Sequence, residues 1–382
     1  MRVGITSYGG DEGRSGIGRY ISCLLESMAQ SAETDEAEVL VHRQETSAFF
    51  PKDTPAFRRV TTPGLMRDPV LDIAWHQLGL GPLSLARGYD VLFLPAANRR
   101  LAAFAPCPTV GTYHDGGILH VVDKYDPARR FYLTKVLPRL VRNLTHVLTV
   151  SEATKRDLVE ILGVSEERIT VTPLAADRRR YYPRDPEEMA RHIGKSFGLA
   201  TPYLLYVSRL EHPGKNHVRL IEAFAKARKE HGLRHDLVLA GSDWSGAEFV
   251  HAAAETSSAS GSIHMLGYVP SMELPALYNA AAGVVFPSLF EGFGLPILEA
   301  MSSGVPVASS NTSSLPEVAG DAALLFDPVN VDEMAAAIAR LAMDTPLRSM
   351  LVGRGLSRAA AFSWEKTAAA TWRVLRSVAN HQ

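Results

Sequence analysis

Short apolar runs, each followed by a loop and then a longer stretch with helical spacing, recur along this chain. Strands are predicted at Val3–Ser7, Val39–His42, Val91–Leu94, Thr109–Tyr113 and Val147–Val150, with helical patterns between several of them. The first helix follows from the spacing of Ile21, Leu24, Leu25 and Met28. A second series has strands near Leu204–Ser208, Leu237–Ala240, Ile263–Leu266, Val284–Phe286, Pro306–Ser309 and Ala323–Phe326. Such alternation predicts α/β architecture: two Rossmann-like domains with parallel sheets. The run Asp177–Pro186, rich in charge and proline, marks the expected junction. One domain is expected over residues 1–186 and a second over 187–363, with a final helix, Trp364–Val378, returning to the first. A length of 382 residues agrees with two cores.

Ligands of doubly wound sheets gather outside the carboxyl ends of the strands, so the loops there are the places to look. Val284–Gly304 reads as a strand, a loop carrying Glu291, Gly292, Phe293 and Gly294, and a helix opened by Pro296 and closed by Gly304. Unpaired N–H groups and the helix dipole favour an anion at such a helix start. Glu291 before the helix and Glu299 in its opening turns bracket that anion site, as acceptors for sugar hydroxyls. Arg209 and Lys215 follow the first strand of the second series and supply charge for a diphosphate. Gly241, Ser242, Tyr268 and Val269 also follow strands and outline a nucleotide cleft. In the first series, Gly9 and Gly10, His114 and Asp115, and Ser151 share one rim. Asp115 either orients the His114 imidazole or caps a turn. Gly16 and Gly18 form a glycine-rich loop without the third glycine of a dinucleotide fingerprint, because Ile21 stands there.

Composition removes several alternatives. A net charge of −1 excludes a general nucleic-acid binder. Cys23 and Cys107, far apart, give neither a disulfide framework nor metal-ligand spacing and are expected to be small buried residues in a reducing compartment. No apolar run reaches the ~20 residues of a membrane span. A cytoplasmic location is expected, with peripheral attachment to the inner face of the cytoplasmic membrane as an option. The basic segment 124–142, with Lys124, Arg129, Arg130, Lys135, Arg139 and Arg142, is either a solvated helix face or an anionic-membrane contact, divided or kinked by Pro138.

These motifs together resemble the retaining glycosyltransferases of family four, which have the GT-B architecture. The resemblance lies in Glu291-Gly-Phe-Gly-Leu-Pro-Ile-Leu-Glu299, in Ser208-Arg209-Leu with Lys215-Asn216, and in the run Ser310–Asp321. It implies two domains facing across a cleft, a nucleotide-sugar donor on the second and an acceptor on the first. By this resemblance Arg209 and Lys215 bind the diphosphate, assisted by backbone N–H groups of Phe293, Gly294 and Leu295. Glu299 accepts from the ribose, Glu291 holds the transferred sugar and His114 reaches its 6-hydroxyl side. Gly16 or Gly18 approaches the diphosphate, and Gly241, Ser242, Tyr268 and Val269 border the nucleoside. The insertion Asp11–Arg14 leaves the choice of glycine open. No cofactor or metal is implied, since no Asp-x-Asp motif stands where a metal-dependent transferase would use one. The form of the motifs is most similar to bacterial GDP-mannose-dependent mannosyltransferases of polysaccharide assembly, acting on a glycan or lipid-linked oligosaccharide. UDP-glucose or activated rhamnose is the alternative donor. An NAD-dependent oxidoreductase and a non-catalytic sugar-nucleotide binding protein are the readings from other classes.

Overall fold

The computed structural model describes residues 1–9, 15–32, 35–42, 54, 56–62, 68–117 and 130–380. Gly10, Asp11–Arg14, Lys124 and Arg129 lie outside them. Two compact units are present, Met1–Leu174 with Ser363–Gln382, and Ala175–Phe362.

The first unit holds a parallel sheet of β1 (Arg2–Thr6), β2 (Glu36–His42), β3 (Phe57–Thr62), β4 (Val91–Leu94), β5 (Thr109–Tyr113), β6 (His146–Thr149) and β7 (Ile169–Val171), in the order β3-β2-β1-β4-β5-β6-β7. Its central strands are apolar throughout because helices cover both faces; Val91–Leu94 is buried at every position. Val3 pairs with Ala37 on one side and Val91 on the other. The helix Gly16–Gln30 is capped by Ser15, whose hydroxyl accepts from Gly18 N, and buries Tyr20, Ile21, Leu24, Leu25 and Met28. The helix Trp364–Asn380 packs against it, as the sequence predicts for the returning helix. Trp372 Nε1 donates to the Met28 carbonyl at 3.2 Å, and Arg376 pairs with Asp35 at 2.8 Å. Truncating the buried Trp372 to alanine would cost roughly 3–5 kcal/mol.

The second unit holds β8 (Tyr203–Val207), β9 (Asp236–Ala240), β10 (Ile263–Met265), β11 (Gly283–Phe286), β12 (Val307–Ser310) and β13 (Ala323–Phe326), in the order β10-β9-β8-β11-β12-β13. All pairings in both sheets are parallel. Each strand order therefore reverses once, at β1/β4 and at β8/β11, and those are the crevices where ligands of such sheets bind.

The division between units falls at Leu174/Ala175, earlier than the expected 186/187. Residues after it are tied to the second unit by polar contacts. Arg180 donates to the Ser271 carbonyl at 2.9 Å, and Arg184 N to Asn279 Oδ1 at 2.7 Å. The Tyr181 ring meets Tyr278 edge-on at 5.8 Å. Charge and proline mark a loop, but its contacts decide which core owns it.

Candidate functional site at the crevice of the second sheet

The loop after β11 has the shape its sequence predicts. Gly294 caps the helix Leu295–Ser302 at φ +99°, and a Cβ there would lie 2.7 Å from Leu315 Cδ2, so backbone and packing both demand glycine. Pro296 occupies the first helical turn, and Gly304, at φ +72°, follows the helix end. The preceding loop is fastened by hydroxyl groups from the segment after β12. Ser313 and Ser314 donate to the Glu291 carbonyl at 2.5 and 2.9 Å, and Thr312 donates to the Leu289 carbonyl at 3.1 Å. Ser313 itself sits at φ +55°. These hydroxyls carry the resemblance in sequence, but their clamping role is visible only in three dimensions.

The loop after β8 meets it. Lys215 Nζ lies 2.7 Å from Glu291 Oε1, with side chains only 21% and 16% exposed. Asn216, at φ +61°, donates to the carbonyls of Pro287 and Pro328 at 3.0 and 2.7 Å. The Tyr206 hydroxyl donates to the Lys215 carbonyl at 2.9 Å and lies 3.0 Å from Ser288 Oγ. His217 is buried beside them, held neutral by burial that lowers its pKa to about 3. Two residues assigned to different parts of a ligand are thus partners of one another across the β8/β11 crevice. The contact fixes the Glu291 carboxylate and matches its charge.

Arg209 stacks on the Trp244 ring, its guanidinium carbon 4.5 Å from the centroid. The stack is fixed by pairing between the loops after β8 and β9: Leu210 N donates to the Ser242 carbonyl and Trp244 N to the Leu210 carbonyl, both at 3.0 Å. Gly241 makes that pairing possible, because a Cβ there would lie 1.9 Å from the Ser208 carbonyl oxygen. Its missing side chain serves loop-to-loop approach. Ser242 is exposed, Tyr268 is 62% exposed, and Val269 is buried beneath the same rim. Phe293 is buried edge-on to Phe362 at 5.9 Å, which leaves its backbone as the part available to a ligand. Leu295 is the first residue of its helix and half-buried. Glu299 stands further into that helix than a bracketing position requires. It is 1% exposed, and its Oε2 accepts from the Tyr278 hydroxyl at 3.1 Å.

In the first unit, His114 directly follows β5. Its Nε2 lies 2.7 Å from the Pro95 carbonyl, which can only accept, so Nε2 carries the proton and Nδ1 is the acceptor of the neutral ring. Burial lowers its pKa to about 4. Pro95 and the edge-on Tyr20 ring, 4.6 Å away, set the imidazole's orientation. Of the two glycines at the start of the helix Gly16–Gln30, Gly18 spends its N–H on Ser15 Oγ at 3.1 Å. Gly16 is exposed, with nothing within 4 Å of where a Cβ would stand.

Pro138 does divide the basic segment: a π-helical turn, Tyr132–Val136, gives way to the α-helix Leu137–Asn143. Arg139 donates to the carbonyl of Lys135 in the π-helical turn and Arg142 to that of Pro138 on its own helix, at 2.6 and 3.2 Å. Cys23 and Cys107 are not joined in a disulfide and are half-buried, not buried as expected. Among the described residues, no group of three or more His, Cys, Asp or Glu is placed to hold a metal ion, and no helix is long and apolar enough to cross a membrane.

Comparison with known proteins agrees with this construction. The family model described as Glycosyltransferase Family 4 matches residues 14–180, and that described as Glycosyl transferases group 1 matches residues 194–357. O-antigen chain mannosyltransferase B of Escherichia coli is 38% identical over 358 residues, spanning 92% of this chain and 93% of that protein. MMP alpha-(1->4)-mannosyltransferase of Mycolicibacterium hassiacum is 32% identical over 249 residues, or 64% of this chain and 57% of that protein. Sucrose-phosphate synthase from Thermosynechococcus elongatus superposes with a TM-score of 0.76 at 20% identity, covering 100% of both chains. Anabaena HepE in complex with UDP-glucose gives 0.75 at 19% identity, covering 99% of this chain and 100% of that one. The structural likenesses carry the fold, the sequence matches carry the family: this chain is a glycosyltransferase of family 4, with GT-B architecture.

Proposed function

We propose that the enzyme transfers mannose, with retention of configuration, from GDP-mannose to a glycan or lipid-linked oligosaccharide during assembly of a cell-surface polysaccharide. The observation that carries this reading is the 38% identity, over nearly the full length of both chains, to an O-antigen chain mannosyltransferase. It displaces the oxidoreductase reading and leaves UDP-glucose and activated rhamnose as the donors to beat.

The site residues divide the work as follows. Arg209, kept extended by Trp244, and Lys215 neutralise the diphosphate, whose charge grows as the glycosidic bond breaks. The N–H groups of Phe293, Gly294 and Leu295 at the helix start add dipolar stabilisation without a metal. Glu291, already ordered by Lys215, accepts from hydroxyls of the mannose. The contact with that lysine orients the Glu291 carboxylate toward the sugar hydroxyls, and attack of the acceptor on the same face as the departing diphosphate is favoured over a double displacement through Glu291. A phosphate oxygen then takes the acceptor proton. His114 contributes as a neutral acceptor through Nδ1 toward the 6-hydroxyl, and Gly16 approaches the diphosphate. Glu299 meets the ribose with whatever accepting capacity Tyr278 leaves it, while Gly241, Ser242, Tyr268 and Val269 border the guanosine. The basic segment, with Arg130, Lys135, Arg139 and Arg142, attaches the enzyme peripherally to an anionic cytoplasmic membrane face.

A thermal-shift screen of nucleotide sugars tests the donor. GDP-mannose is expected to raise the melting temperature more than UDP-glucose, and the reverse ranking removes the mannose assignment.

A further inference from the structure

The carboxyl ends of β1, β2 and β3 carry a second polar assembly, separate from every residue assigned above. Tyr8 stands just beyond β1, His42 ends β2 and Thr62 ends β3. The helix Pro69–Leu78 adds Asp72, Trp75 and His76, and the segment after β4 adds Arg100. His42, Asp72 and His76 are 4%, 4% and 0% exposed. Arg100 Nε donates to the Asp72 carboxylate. His76 Nδ1 lies 2.8 Å from the Asp72 carbonyl and 3.0 Å from its Oδ1. Both are acceptors, so Nδ1 carries a proton. The Tyr8 ring meets His42, His76 and Trp75 edge-on at 4.4, 4.8 and 5.2 Å, and its hydroxyl donates to Thr62 Oγ1 at 2.7 Å.

Three atoms of this assembly are unexplained. His42 Nδ1, Asp72 Oδ1 and His76 Nε2 are buried with no hydrogen-bond partner among the described residues. Leaving buried polar atoms bare is costly, and a position needing only bulk would be filled by an apolar side chain. Donor and acceptor chemistry decides what fits: the Asp72 carboxylate, which lies against both Arg100 and His76, disfavours an anion beside it. A hydroxyl group fits better: it can both donate to a ring lone pair and accept from a ring N–H, while the C–H face of a sugar packs on aromatic rings. Arg100, 17% exposed, and half-buried Trp75 are the side of the assembly that meets solvent.

We propose that His42 and His76, ordered by Asp72, Arg100 and Tyr8, form a hydroxyl-recognition subsite for a sugar residue of the acceptor. This rests on the transferase reading above. The subsite sets acceptor specificity and leaves the donor untouched.

The test uses the full chain labelled with 15N-histidine, with the two ring signals assigned from His42→Asn and His76→Gln. Titration of the wild type with p-nitrophenyl α-mannoside in the presence of GDP is expected to shift both imidazole signals. His76→Leu and His42→Leu are expected to raise the KM for that acceptor about three- to tenfold, the worth of one neutral hydrogen bond, while the GDP-mannose KM and donor hydrolysis stay unchanged. Unmoved ring signals at saturating acceptor, with an unchanged acceptor KM and only a lowered Tm in the variants, overturn the proposal in favour of a structural polar cluster. The two readings fail separately. Vigorous mannosyl transfer with unmoved signals removes the subsite and keeps the transferase; shifted signals without transfer from any mannose donor do the opposite.

Discussion

His114 gives the sharpest quantitative prediction, because its environment fixes both its protonation state and its tautomer. Burial lowers its pKa from 6.5 to about 4, while the Pro95 carbonyl retains the proton on Nε2. Between these two values the unfolded chain binds a proton that the native protein refuses, so stability falls as pH drops from 6.5 toward 4 and is unaffected by this group above 6.5. A difference of about 2.5 pH units at 1.36 kcal/mol each corresponds to about 3 kcal/mol of stability lost across that window. The direct assay is an NMR titration of the ring nitrogens between pH 7.5 and 4. A midpoint near 4, with Nε2 protonated throughout, is expected. A midpoint near 6.5, or a proton resident on Nδ1 at neutral pH, would refute both the burial argument and the assignment of Nδ1 as the acceptor for a sugar hydroxyl. The catalytic counterpart is that no acid limb near pH 6.5 in kcat/KM disappears on His114→Gln.

Other consequences are checked by mutation. Lys215→Met and Glu291→Gln should each lower kcat/KM for the donor about 100-fold, with the double variant well short of the product of the two losses, because the residues act as a pair; strict additivity in the double-mutant cycle speaks against the pairing. Gly294→Ala should cost about 1–3 kcal/mol in chemical denaturation and raise the donor KM, since φ +99° and the Leu315 contact leave no room for a methyl group. Neutralising Arg130, Lys135 and Arg139 should weaken sedimentation with anionic vesicles by about fivefold per charge, and unchanged sedimentation dismisses the membrane contact.

Val91–Leu94 and Thr109–Tyr113 are read to the residue because parallel central strands, buried on both faces, are short apolar runs bounded by turns. Ala323–Phe326 is read to the residue as well, although it is an edge strand, because it too is a short apolar run. β3 and β7 escaped. The first, Phe-Arg-Arg-Val-Thr-Thr, is an edge strand with an exposed arginine, and the second has only three residues. At the site, the loop around Gly294 was legible because a positive φ ahead of a proline-opened helix leaves a local trace. The Lys215–Glu291 pair was not, although both residues were singled out, because 76 residues separate them and only the β8/β11 neighbourhood joins them. Trp244 and the Ser313–Ser314 clamp were missed for the same reason. His42 and His76 have no motif around them; their significance comes from burial without partners, a property of packing.

The central claim is that Lys215 and Glu291, with Arg209 and the helix start at Gly294, hold a GDP-mannose donor for same-face displacement. It is tested most directly by the anomeric configuration of the product, measured by one-bond carbon–proton coupling after reaction of GDP-mannose with p-nitrophenyl α-mannoside. The account predicts a new α-mannosidic linkage, formed by the wild type and lost together with donor turnover in Glu291→Gln. A β linkage, or an α linkage formed undiminished by that variant, would contradict it.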